Sequence, residues 1–228
     1  GKNDAMRAKV TTKISKEITI AARMGGGNPV GNMRLKLALT KARQNNVPKD
    51  IIKRAIDKGV GASTGAGFDE VIYEGYGPGG AAIIAECNTD NRNRMAADIR
   101  HAFNHNGGSL GATGSVGWMF KRKGTIIIDK EKAEEDNVML IALEAGAEDV
   151  ITEGDTFQVI TSPEDFLTVS EAIENENIPV EASEVAMIPD TTVNLEGDQA
   201  ETMSRLIAEL EEMDDVQEVY HNAELPEE

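Results

Sequence analysis

Residues 124–161, GTIIIDKEKAEEDNVMLIALEAGAEDVITEGDTFQVIT, decide the fold class. The β-branched run Thr125 to Ile128 predicts a strand, and the apolar spacing from Ala133 to Ala145 predicts a helix. Two short strands then follow, near Asp149 to Thr152 and at Thr156 to Thr161. Downstream, Pro163 to Asn175 reads as a second helix and Val180 to Ile188 as a fourth strand. The order βαββαβ is that of the ferredoxin-like split unit.

Upstream, Glu70 to Tyr76 and Ala81 to Cys87 read as strands around the turn Gly77-Pro-Gly-Gly80. Asp90 is placed to cap a helix with Met95, Ile99, Ala102 and Phe103 on its buried face. Gly107 to Gly117 is a glycine-rich loop leading into Val116 to Phe120. After the split unit come Thr191 to Leu195, a helix with Met203, Leu206, Ile207, Leu210 and Met213 inward, and Val216 to Tyr220. Too small to stand alone, this tail is expected to complete the sheet of residues 68–123. The split unit is thereby an insertion.

Nearer the start, Met6, Val10, Ile14, Ile18 and Ala21 or Ala22 lie on one helical face between Ala5 and Met24, with Lys9, Lys13, Lys16 and Arg23 opposite. A second helix follows Gly25 to Pro29, with Leu35, Ala38, Leu39 and Ala42 on one face and Arg34, Lys36, Lys41 and Arg43 on its flanks. The turn Asn45 to Pro48 opens a third, carrying Ile51, Ile52, Ala55 and Ile56 and stopping at Gly59. Gly61 to Gly67 lacks periodicity and reads as a linker. The expected class is therefore α+β and multidomain: a basic helical domain (1–60), an α/β domain (68–123 plus 189–228) and an inserted acidic ferredoxin-like domain (124–188).

The charge is distributed in the same way. The 228 residues carry a net charge of −17, but residues 1–60 hold fourteen Lys and Arg against four Asp and Glu. Residues 61–123 hold six of each, and residues 124–228 hold three against thirty. Clustered cations beside clustered anions point to modules with different partners. The basic helices suit nucleic acid phosphates, while the acidic half reads either as a solubilising surface or as a dock for a basic protein. No Phe, Tyr or Trp precedes Phe68, so base stacking by the first helices is disfavoured. Helices two and three could form a helix-turn-helix presenting Lys49, Lys53 and Arg54 to a major groove.

Three other patterns invite a chemical reading. Gly75 to Gly80 matches G-x-G-x-x-G, but a strand rather than a helix follows, so a hairpin turn is the better assignment. The glycines from Gly107 to Gly117, with Arg92, Arg94 and Arg100 on the preceding helix, could form an amide nest for phosphate, or could simply be a loop needing positive φ. His101 and His105 are four apart, but Ala102 stands where a zinc protease needs its Glu, and Cys87 reads as core. No catalytic constellation, metal site or cofactor is expected. The lone cysteine and the absence of a long apolar run predict a cytoplasmic protein, with an organellar leader conceivable upstream of Gly1.

The longer motifs carry a resemblance. Tyr73-Glu-Gly-Tyr-Gly-Pro-Gly-Gly80, Thr89-Asp-Asn-Arg-Asn-Arg94, Arg100-His-Ala-Phe103, Gly107-Gly-Ser-Leu-Gly-Ala-Thr-Gly-Ser-Val116 and Trp118-Met-Phe120 resemble the YebC/PmpR family, as do Arg34-Leu-Lys-Leu37, Val47-Pro-Lys-Asp50 and Arg54-Ala-Ile56. The resemblance spans nearly the whole chain. It implies three domains, the third inserted in the second. It also implies a DNA-binding transcriptional regulator or, as in mitochondrial relatives, an activator of translation that meets ribosomal RNA and the ribosome. The family pattern opens with a basic segment containing Gly-His-Ser-Lys-Trp, which would precede Gly1.

Overall fold

The structure, a computed structural model, describes residues 1–61 and 67–227, so most of the expected linker Gly61 to Gly67 lies outside the described residues. The chain begins with helices α1 (Lys2–Gly25), α2 (Met33–Gln44) and α3 (Lys49–Gly61). Strands β1 (Asp69–Tyr76) and β2 (Ala82–Thr89), helix α4 (Arg92–His105) and strand β3 (Ser109–Leu110) follow. Next come β4 (Phe120–Asp129), α5 (Glu135–Ala145), β5 (Asp149–Glu153), β6 (Thr156–Thr161), α6 (Phe166–Asn175) and β7 (Ala182–Pro189). The chain closes with β8 (Val193–Asn194), α7 (Gly197–Glu212), β9 (Val216–His221) and β10 (Ala223–Glu224). These elements form two compact units, Gly1–Gly117 with Val193–Glu228, and Trp118–Thr192.

In the discontinuous unit, α2 and α3 both pack on α1. Their apolar stripes close over Ile14, Ile18, Ala21, Leu35, Ala38, Ala42, Val47 and Ala55. The joint between α1 and α2 is set by Asn32, which is buried. Its side chain accepts from Leu35 N–H at 3.1 Å, capping α2, and donates to Ala21 O and Gly26 O at the end of α1. One residue thus satisfies an amide that the start of α2 would otherwise leave unpaired and ties that start to the end of α1.

The same unit contains an antiparallel sheet in the order β3-β1-β2-β9. The tail does return: Ile83 to Cys87 of β2 pair with His221 to Val216 of β9, with an irregularity at Glu86/Cys87. Ile83, Ala85 and Cys87 from β2 meet Met95, Ile99 and Phe103 of α4 and Met203, Leu206 and Leu210 of α7 in one core. Burying each large side chain stabilises the unit by about 1.5–3 kcal/mol.

The contiguous unit is the ferredoxin-like one, an antiparallel sheet in the order β5-β6-β4-β7 with α5 and α6 packed on each other. Ile126, Ile128, Val138, Phe157, Phe166 and Ile173 fill its core. Gly124 is required by crowding, since a Cβ there would meet Phe166 at 2.6 Å.

The structure adjusts several predicted limits. The first strand begins at Phe120 rather than Thr125, because Lys121, Arg122 and Lys123 extend the ladder against Ile188, Met187 and Ala186. Helix α5 starts at Glu135 instead of Ala133, and α6 at Phe166 instead of Pro163. Strand β7 starts at Ala182 instead of Val180.

Candidate nucleic-acid interface

The basic stripe of α1 is not an open surface, contrary to its placement opposite the apolar face. Its lysines meet the end of α7 and the start of β9. Lys9 Nζ donates to the carbonyl of Glu212 at 2.5 Å and to its Oε1 at 3.1 Å, and lies 3.6 Å from Asp214 Oδ1. Lys13 Nζ donates to Glu211 O at 2.6 Å. Lys16 Nζ reaches Asp215 Oδ1 at 3.1 Å and sits 5.0 Å from the centroid of the Phe68 ring.

The physical cause is the helix end. The last carbonyls of a helix lack intrahelical partners and carry the negative pole of the macrodipole. No basic residue lies in the last turn of α7, so α1 supplies the cations. Burial, with the neighbouring Lys9 charge, pulls the Lys13 ammonium below its ordinary range.

Arg34 is also engaged. Its Nε and one terminal nitrogen grip Glu17 at 2.6 and 3.1 Å, and that nitrogen also meets Glu70 Oε1 at 2.5 Å. The hydrogen bonds to Glu17, outweighing burial, push its pKa further up, so it is a fixed cation joining α1, α2 and β1. Arg23 donates to Phe68 O at 3.4 Å, and Lys41 pairs with Glu218 of β9. Arg54 pairs with Asp50 one turn back, with both side chains 74% exposed. On α4, Arg94 lies near Asp90 and Asp215 at 3.5 and 3.6 Å, and Arg92 is 4.0 Å from Asp69.

The remaining expected cations are differently placed. Lys36, Arg43, Lys49, Lys53 and Arg100 are exposed and form no ion pair among the described residues. Lys36 and Arg43 are seven apart on α2, hence on one face, and Lys49 and Lys53 are one turn apart on α3. Lys2, Arg7 and Lys58 share this exposed, unpaired state. Lys2 precedes the predicted first helix, Arg7 falls within its apolar spacing rather than on the basic stripe, and Lys58 stands at the end of the third helix, so none of the three joined the predicted basic faces.

The glycine-rich loop is a closed structure. Buried Glu74 accepts N–H bonds from Gly114 at 2.5 Å, Val116 at 3.2 Å and Gly117. The nest holds an anion, but the anion is the chain's own carboxylate, so the phosphate alternative is set aside. Gly75 to Gly80 forms the β1–β2 hairpin, with Gly79 at φ 69° and Gly80 at φ 79°. His101 and His105 stack at 5.5 Å between ring centroids, and no group of three metal-ligating side chains occurs among the described residues. Burial pushes the Cys87 thiol up to about 12, which suits its place in the core. No helix among the described residues is long and apolar enough to cross a membrane.

A protein of Pelotomaculum thermopropionicum, named a probable transcriptional regulatory protein, is 54% identical over 226 residues, covering 98% of this chain and 93% of the relative. One from Desulforapulum autotrophicum, similarly named, is 51% identical over 228 residues, covering 100% and 92%. The crystal structure of a conserved hypothetical protein from Aquifex aeolicus matches with a TM-score of 0.84 at 42% identity, covering 99% of this chain and 93% of that one. Residues 1–62 match the TACO1/YebC protein N-terminal domain, and residues 68–223 match the TACO1/YebC second and third domain. The chain therefore belongs to the TACO1/YebC family.

Proposed function

We propose that this protein is a non-enzymatic, cytoplasmic regulator of gene expression that binds DNA through phosphate contacts from its N-terminal helices. The observation that carries this reading is the state of Lys36, Arg43, Lys49 and Lys53: exposed and without a carboxylate partner among the described residues. Cations in that state exchange water and condensed counterions for phosphate without first breaking an internal pair. The names of the relatives, probable transcriptional regulatory proteins, support the same direction. We take residues 1–60 as the nucleic-acid-binding domain, 68–123 with 189–228 as its support, and 124–188 as an acidic domain suited to a basic protein partner.

The test is a salt titration of duplex DNA binding by fluorescence anisotropy. With about four phosphates neutralised, log affinity falls against log salt with a slope near −3.6. A slope near zero overturns phosphate binding. A structured RNA titrated in parallel decides the polymer, because tighter RNA binding would replace the DNA reading with a translational one at the ribosome.

A further inference from the structure

We propose that the corner between α7 and β9 is a built-in competitor for phosphate, which occupies Lys9, Lys13 and Lys41 in the free protein and yields them when a nucleic acid docks. The inference rests on the phosphate-binding reading above and adds its regulation. What faces these lysines is an array of oxygens: the Glu211 and Glu212 carbonyls and the carboxylates of Glu212, Asp214 and Glu218. A run of phosphates offers the same chemistry at higher charge density.

Exposure separates the contacts that exchange from the one that stays. The side chains of Glu212 and Asp214 are 80% and 82% exposed, so water and salt reach the Lys9 pair and screen it. Lys41 and Glu218 are exposed at 46% and 35%. Lys16 and Asp215, at 11% and 18%, are far more enclosed, and Asp215 also accepts from Thr89 Oγ1 at 2.9 Å. Lys16 is therefore an anchor that holds α1 to Asp215, just before β9, while the neighbouring pairs open. The corner sets how many of the fourteen cations in residues 1–60 are available at a given salt concentration.

The experiment compares the full chain with a latch variant, Glu212→Gln/Asp214→Asn/Glu218→Gln, and with a control variant, Glu171→Gln/Glu174→Gln/Glu176→Gln. The control removes the same net charge from exposed positions on and after α6. Each is titrated with a labelled DNA duplex across a range of potassium chloride concentrations. The latch variant is expected to bind at least tenfold more tightly than the control near 0.1 M salt, with a slope steeper by about 2 as Lys9 and Lys41, relieved of their carboxylate partners, add contacts. Amine labelling read by mass spectrometry should show Lys9 slow in the wild type, faster in the latch variant, and protected again by duplex.

Coincidence of latch and control variants in affinity, slope and Lys9 labelling overturns the competitor while leaving phosphate binding intact. Absence of salt-dependent binding in all three proteins removes the phosphate-binding reading and the latch with it. Should the triple variant lose helicity, Glu212→Gln/Asp214→Asn alone carries the test, since both side chains are largely solvent-exposed.

Discussion

Glu74 shows how one side chain can decide what a loop is for. The residue is 5% exposed and its carboxylate gathers three backbone amides from Gly114, Val116 and Gly117, so the loop closes on a charge that is already present. Hydrogen bonds to a charged group contribute about 1.5–3 kcal/mol, and a neutral amide can accept at only one of its two ends. Glu74→Gln should therefore lower unfolding stability by roughly 2 kcal/mol in a urea titration. It should also expose the 111–117 segment to protease while leaving duplex affinity unchanged, whereas weakened duplex binding with stability intact would return the loop to the list of phosphate contacts.

At the scale of elements, α2 and α3 carry the charge available for binding, and α1 carries charge that is mostly committed. Lys36→Glu/Lys53→Glu should weaken duplex binding at least tenfold near 0.1 M salt, since each reversal removes a phosphate contact and adds a repulsion. Calorimetry should find the thermal midpoint little moved, because exposed substitutions away from such pairs usually fall within about 0.5 kcal/mol. The helices were legible because their apolar residues recur at helical spacing, and the βαββαβ order because β-branched runs alternate with that spacing. The start of β4 was not, since Lys121-Arg-Lys-Gly124 shows no apolar alternation and becomes strand only by pairing with β7. Charge clustering was equally legible, but its partners were not. Lys9 meets Glu212 across 203 residues, and nothing local to either marks one carboxylate among the thirty in residues 124–228.

For the molecule as a whole, the two units invite separation. Phe120 pairs with Pro189 across the ladder, and just outside them Asp190 N–H donates to Met119 O at 2.8 Å. The two ends of the insertion therefore lie side by side, about 5 Å apart. Replacing residues 120–189 with a three-residue Gly-Ser linker should leave a protein that unfolds cooperatively and still binds duplex, as followed by circular dichroism and anisotropy. Binding should tighten at low salt, because the excised stretch holds seventeen Asp and Glu against five Lys and Arg. A shortened chain that fails to fold would show that the two units form one cooperative system.

That adjacency of ends also bears on the order in which the protein assembles. Strand β2 must wait for β9, which is made more than 120 residues later, on the order of ten seconds at about 5–20 residues per second. Contacts so distant along the chain are slow to form, because a long loop must first be closed. The ferredoxin-like unit is contiguous and can collapse on the ribosome before Val216 is made. Once folded, it replaces a seventy-residue loop with a gap the width of one strand pair. A folded insertion thereby shortens the loop that must close when β9 pairs with β2.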